Sequence, residues 1–147
     1  MEVKENQQFH LGVYGIYIVD GKVLVIEKGK GPYKGLYDLP GGRIEFGEPV
    51  ETTLKREIQE EVGGSLISFN FLGYNQYFCN YTNEKGENKN FHHVGFYFIV
   101  ECDIENLKVD ADGHDSLGAM FVEIDTLTKS NCSQIAFEMI QKANVKQ

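Results

Sequence analysis

Residues 42–64 read GRIEFGEPVETTLKREIQEEVGG, and the rest of the chain has to be arranged around them. The stretch enters through glycine and Pro49 and closes on Gly63 and Gly64. Pro49 suits the first position of a helix, where its missing N–H is not needed. Val50, Leu54, Ile58 and Val62 then recur every fourth residue and make one buried stripe. At the edge of that stripe stand Glu57, Glu60 and Glu61. At i, i+3 and i+4 they share a helix face, and each like-charged pair costs a helix about 0.2–0.5 kcal/mol. A hard divalent cation would offset that repulsion, because oxygen donors without thiol or imidazole suit Mg2+ or Mn2+. The competing reading is a solvated face laced by Lys55, Arg56 and the glutamates in i,i+4 pairs. Glu48 and the flanking glycines favour the metal site.

On the N-terminal side, residues 11–19 are rich in Val, Ile and Tyr and predict a strand. Asp20-Gly21 is a two-residue hairpin turn into a second strand over 22–28. Residues 29–35, GKGPYKG, predict a loop. The loop matches neither phosphate-binding glycine motif: Lys34 stands where GxGxxG needs its last glycine, and no GK[ST] follows. Lys28, Lys30 and Lys34 are still placed to touch a phosphate, although loop lysines are usually just solvated. A short strand over 36–39 runs into Pro40-Gly41-Gly42, which allow a tight turn or close backbone approach to a ligand.

On the C-terminal side, residues 65–81 alternate apolar and polar side chains, as one long strand or two short ones. TNEKGENKN, residues 82–90, predicts a polar turn or mobile loop, and residues 91–102 a strand. An acidic loop with Asp110, Asp112 and Asp115 follows, then a strand around 120–124. A helix over roughly 133–143 puts Ile135, Ala136, Met139 and Ile140 on one face. Strands on both sides of a central helix, with a helix at the end, predict an α+β or mixed α/β sandwich. No repeat or linker divides the chain, so residues 1–147 are expected to form one domain.

The net charge of −8 argues against a nucleic-acid polymer or an anionic membrane as partner. Charge is unevenly spread: residues 101–125 carry eight acids and one lysine, whereas residues 20–43 carry five bases and three acids. Cys79, Cys102 and Cys132 are scattered, odd in number and lack CxxC spacing, which points to a reducing compartment. The polar start MEVKENQQFH and the lack of a ~20-residue apolar run predict a cytoplasmic protein without a membrane span.

Gly42, five residues, Glu48, seven residues, then Arg56-Glu57-Ile58-x-Glu60-Glu61-x-Gly63 resembles the Nudix box, with every charged and glycine position filled. One position departs: the last is normally a bulky aliphatic and here is Gly64. LPGG before the box, and residues 121–127 (FVEIDTL), where the family often has tryptophan at the position of Phe121, extend the likeness more loosely. The resemblance implies an α/β/α sandwich with a mixed sheet and the box as loop–helix–loop over residues 42–64. It implies hydrolysis of a nucleoside diphosphate linked to another group. Glu57, Glu60 and Glu61 would hold the metal with the Gly41 carbonyl, Arg56 would orient a box glutamate, and Glu48 would be a further ligand or helper. The base varies in this family between box glutamates and a downstream loop acid, for which Asp115 is placed. Arg43, Lys34 and Tyr77 are the candidate substrate contacts.

The leading expectation is a magnesium-dependent pyrophosphohydrolase of a small-molecule nucleotide, a modified nucleoside triphosphate before ADP-ribose or a sugar nucleotide. A non-catalytic nucleotide-binding regulatory module is the alternative of another class, and a homodimer stays open. His92 and His93 point to opposite faces of a strand and so do not chelate one ion together. DADGHD, residues 110–115, fails as a calcium loop, since His114 and Asp115 stand where a ligand and the turn glycine belong. Phe71, Tyr74, Tyr77, Phe78 and Tyr81 contain either core residues or a base-stacking platform.

Overall fold

The computed structural model describes residues 4–110 and 116–146. Eight strands and two α-helices follow in the order β1 (Gln7–Ile16), β2 (Ile18–Val19), β3 (Lys22–Lys28), β4 (Tyr37–Asp38), β5 (Gly41–Arg43), α1 (Val50–Val62), β6 (Ser65–Thr82), β7 (Asn88–Asp103), β8 (Ser116–Glu123) and α2 (Gln134–Lys146). Asp20 and Gly21 turn β2 into β3 with φ of 51° and 76°, the doubly left-handed geometry of a two-residue hairpin.

A mixed four-stranded sheet has the order β5-β1-β7-β6, with β1 parallel to β7 and antiparallel to β5. In the second sheet β3 is antiparallel to β2, β4 and β8. One apolar cluster joins α1, through Leu54, Ile58 and Val62, to Val13, Leu24, Phe98 and Val100. The other joins α2, through Ile135, Ala136, Met139 and Ile140, to Ile16, Val25 and Tyr97. Each helix therefore seals its own core, and the expected α/β/α sandwich is what forms.

One local expectation is corrected and two open alternatives are decided. Gly41 and Gly42 lie in β5, paired with Tyr14 and Val13, rather than in a turn. The polar stretch after β6 is a narrow hairpin tip, because Thr82 and Asn88 still pair. Residues 65–82 form one long strand with register shifts between Leu66 and Ser68 and between Phe71 and Gly73. Among the described residues no helix is long and apolar enough to cross a membrane.

Candidate active site

The box folds from its own sequence. Leu54, Ile58 and Val62 are fully buried and pin α1 to the sheets. Pro49 sits one residue before the helix, in extended conformation, and Gly63 ends it at φ 80° with its N–H donated to the Gln59 carbonyl. Gly64 is buried, and a Cβ there would stand 2.8 Å from Ile104 Cγ1 and 3.0 Å from the Asp103 carbonyl. The room for a bulky side chain is already taken by Ile104.

The polar edge of α1 rests on β5. The buried Glu61 accepts the Gly41 N–H at 2.7 Å. A Cβ on Gly42 would lie 2.6 Å from the Glu57 carboxylate, so glycine is what lets that group seat against the strand. Arg56 gathers the neighbours. Its Nε and Nη2 donate to the two Glu48 oxygens at 2.9 Å each, and its Nη1 donates to Glu57 at 2.8 Å. Nη1 also stands 3.6 Å from Glu60, whose side chain is 57% exposed. Glu48 further accepts the Thr53 hydroxyl at 2.6 Å. Hydrogen bonds from Arg56 and then Thr53 pull the Glu48 carboxyl down to about 2, and the bond to Glu48 raises Arg56 above its ordinary value.

Beyond β5 lies a cleft of about 580 Å³. Lys28, Lys30, Lys34, Arg43, Lys85 and Lys89 line it against Asp38, Glu84 and Glu87, a cationic excess in a chain of net charge −8. Asp38 is buried and committed, accepting from Ser133 Oγ and the Leu39 N–H. The floor is polar but uncharged. His93 bonds the Tyr14 hydroxyl through Nε2 at 2.9 Å and the Tyr33 hydroxyl through Nδ1 at 2.7 Å, and His10 meets Tyr14 at 3.1 Å. Burial first, then the charge of His10, pushes His93 down to about 3, and burial raises Tyr14 and Tyr33. Near neutrality His93, Tyr14 and Tyr33 are therefore uncharged.

A family model described as the NUDIX domain matches residues 8–142. The chain belongs to the Nudix family. It is similar to a Methanocaldococcus jannaschii protein named ADP-ribose pyrophosphatase, 33% identical over 81% of this chain and 64% of that protein. It is also similar to an 8-oxo-dGTP diphosphatase of Buchnera aphidicola, 35% identical over 87% of this chain and 94% of the relative. The chain thus spans just under two thirds of the first relative's length. Among solved structures, the Nudix domain of Shewanella oneidensis NrtR in complex with ADP-ribose superposes at a TM-score of 0.62, with 18% identity, over 97% of this chain and 90% of that one. At that identity the likeness speaks for the fold.

Within this Nudix fold the expected residues fall into three groups. Arg56, Glu57, Glu48 and, more loosely, Glu60 come together, while Glu61 and Gly41 meet at the start of the same strand, β5. Lys34 and Arg43 line the cleft, and Arg43 also joins it to the box, since its carbonyl accepts from Arg56 Nη2 at 3.2 Å. Tyr77 is not among the lining residues and packs on Tyr33 with ring centroids 6.0 Å apart. Asp115 lies outside the described residues. Of the two histidines, His93 is buried and His92 half-exposed. Sequence reasoning missed His10, Tyr14, Tyr33 and His93 as one unit, because only the parallel β1–β7 register brings His10 level with His93.

The donors around α1 fit a hard divalent cation. They are carboxylates and backbone oxygens, with no sulfur or imidazole among them. Among the described residues, however, no three His, Cys, Asp or Glu side chains converge tightly enough to hold an ion as they stand. Arg56 Nη1 sits between Glu57 and Glu60. Glu60 is solvent-exposed, so packing does not lock its side chain in one rotamer.

Proposed function

We propose that this Nudix chain is a divalent-metal-dependent pyrophosphohydrolase that cleaves a modified nucleoside triphosphate to its monophosphate and pyrophosphate. The observation that carries the reading is the seating of the Glu57 and Glu61 carboxylates on the β5 backbone at Gly42 and Gly41, directly before Arg43, which lines a cationic cleft. Glu57, Glu60 and Glu61, with the Gly41 carbonyl, would hold Mg2+ or Mn2+. Such an ion neutralises phosphate oxygens and lowers the pKa of bound water.

The chain's own residues do the rest. Lys34 and Arg43 draw the phosphates in and screen their charge. Arg56 fixes Glu57 and Glu48, so the carboxylates need little reorganisation when substrate arrives. Water adds to one phosphorus, the bridging P–O bond breaks, and the water proton passes to a carboxylate; the base is a box glutamate or Asp115. The uncharged floor of Tyr14, Tyr33 and His93 suits the nucleoside end, which carries hydrogen-bonding groups but no charge.

A second reading, ADP-ribose or a sugar nucleotide, is favoured by the name of the M. jannaschii relative. A panel of modified and ordinary nucleoside triphosphates, ADP-ribose and nucleotide sugars, assayed with Mg2+ and then Mn2+, separates the two by product. Pyrophosphate release supports the first, and a nucleoside monophosphate with a sugar phosphate (AMP and ribose 5-phosphate from ADP-ribose) the second. Full turnover in excess chelator would sink the metal assignment. A ligand that raises the melting temperature but is never consumed with metal present would favour a non-catalytic binding module.

A further inference from the structure

β6 is the outer strand of the mixed sheet, and from Ser65 to Thr82 it contains no Asp, Glu, Lys or Arg. Strands left at a sheet edge usually carry charge, because bare N–H and C=O groups recruit another strand. This one instead carries rings. Residues paired directly across a ladder share a face. Phe69, Phe71, Tyr74 and Phe78 pair with Val100, Phe98, Phe96 and His92, which lie on one side of β7. Strict alternation would put Phe71 and Tyr74 on opposite sides. The register shift between Phe71 and Gly73 resets the parity and keeps all four rings together.

Those four rings are 40–64% exposed. Phe78 stacks on His92 at 3.9 Å, and Phe69 and Phe71 pack edgewise or tilted on Phe98, so the stripe is held in shape. α2 does not cover it: the helix lies on the opposite face, where Asn75 donates to Glu138 and Gly73 lies against Lys142.

We propose that this stripe is the two-fold interface of a homodimer, with β6 of each copy lying antiparallel to β6 of the other. A two-fold contact must be complementary to itself. Copies of net charge −8 repel over most of their surface, and a charge-free strand is where they approach at least electrostatic cost. The rings expose on the order of 450 Å² per copy, so two copies hide about 900 Å² before the flanking side chains and strand edges bring the total near the ~1,200 Å² of small stable interfaces. An anionic polymer finds no cation on the strip to hold its phosphates.

Sedimentation of the full chain from about 1 to 200 µM tests this across the affinity range of such interfaces. The expected mass is twice 16.7 kDa at the upper end. Tyr74→Lys with Phe78→Lys sets like charges against each other across the two-fold and should weaken association at least a hundredfold. Phe78→Gln, which keeps that exposed position uncharged, should weaken it about tenfold and guards against a misfolded double variant. Val145→Lys, on exposed α2 surface, should leave the mass unchanged. Hydrogen exchange adds a second readout: β6 edge amides should be protected in the wild type and not in the double variant. A monomer at every concentration, or a dimer indifferent to both β6 variants, would overturn the interface; in the former case lipid or peptide becomes the occupant to seek.

Discussion

Two polar assemblies flank β5, and they handle charge in opposite ways. On the α1 side, Arg56 gathers Glu48, Glu57 and Glu60 into ion pairs that stay partly wet. On the cleft side, Tyr14, His93 and Tyr33 are joined by comparable hydrogen-bond lengths, yet none of the three is charged. The difference follows from burial. A half-exposed ion pair keeps water on its open side, whereas a buried network must be neutral to avoid a desolvation penalty of several kcal/mol per ion. The contrast matches the two ends of the proposed substrate, with charge kept for the phosphates and removed for the nucleoside.

The strongest way to break this division is at the charged assembly. Glu57→Gln, and separately Glu60→Gln, should cut kcat by about a hundredfold or more, and for the exposed Glu60 the urea midpoint should stay put. Wild-type turnover in both variants would remove the catalytic role from this edge. At the neutral assembly the loss should appear in stability. His93→Leu strands the Tyr33 hydroxyl, leaves Tyr14 only its bond to His10, and should cost about 1–3 kcal/mol in urea unfolding. His93→Gln should cost less, since it retains a donor and an acceptor.

Acid should separate the assemblies by pH window. The unfolded chain protonates His93 near 6.5, but the folded chain holds it neutral to about 3. Protons therefore favour unfolding as pH falls through that interval, and His93 contributes its full stability only above about 6.5. Glu48, depressed to about 2 from 4.5, contributes above 4.5 and loses that contribution as pH falls toward 2. Urea curves at a series of pH values should show His93→Gln flattening the upper part of the decline and Glu48→Gln the lower part. The smallest effects belong to the rim. Lys34→Ala or Arg43→Ala should raise KM about three- to tenfold with kcat nearly unchanged, and added salt should mimic either change. Tyr77→Leu should leave KM alone.

The charged assembly was legible in the sequence and the neutral one was not, for a reason of scale. Glu48, Arg56, Glu57, Glu60 and Glu61 lie within fourteen residues, where helical spacing alone fixes which side chains meet. The same locality made the Asp20-Gly21 turn, β3 and the Gly63 stop readable. His10 and His93 meet only because β1 and β7 pair in parallel, a register that periodicity does not encode. Tyr81 lines the cleft and Tyr77 does not, although both point to the same side of β6. Only their position along the strand, relative to the 29–35 loop, decides between them. Gly64 looked like a weak point in the box until Ile104, forty residues on, proved to fill the space.

The parallel pairing of β1 with β7 also sets when the protein can first work. Partners such as Gln7 and Asn90 are about eighty positions apart, so the ladder must close a long loop before it returns any favourable contact. During synthesis β1 is made well before β7 leaves the ribosome, and until then β1 has no mate on that side. Helix α1 can therefore be present in a nascent chain long before there is a platform to receive its glutamates, so acquisition of activity should lag behind acquisition of helix.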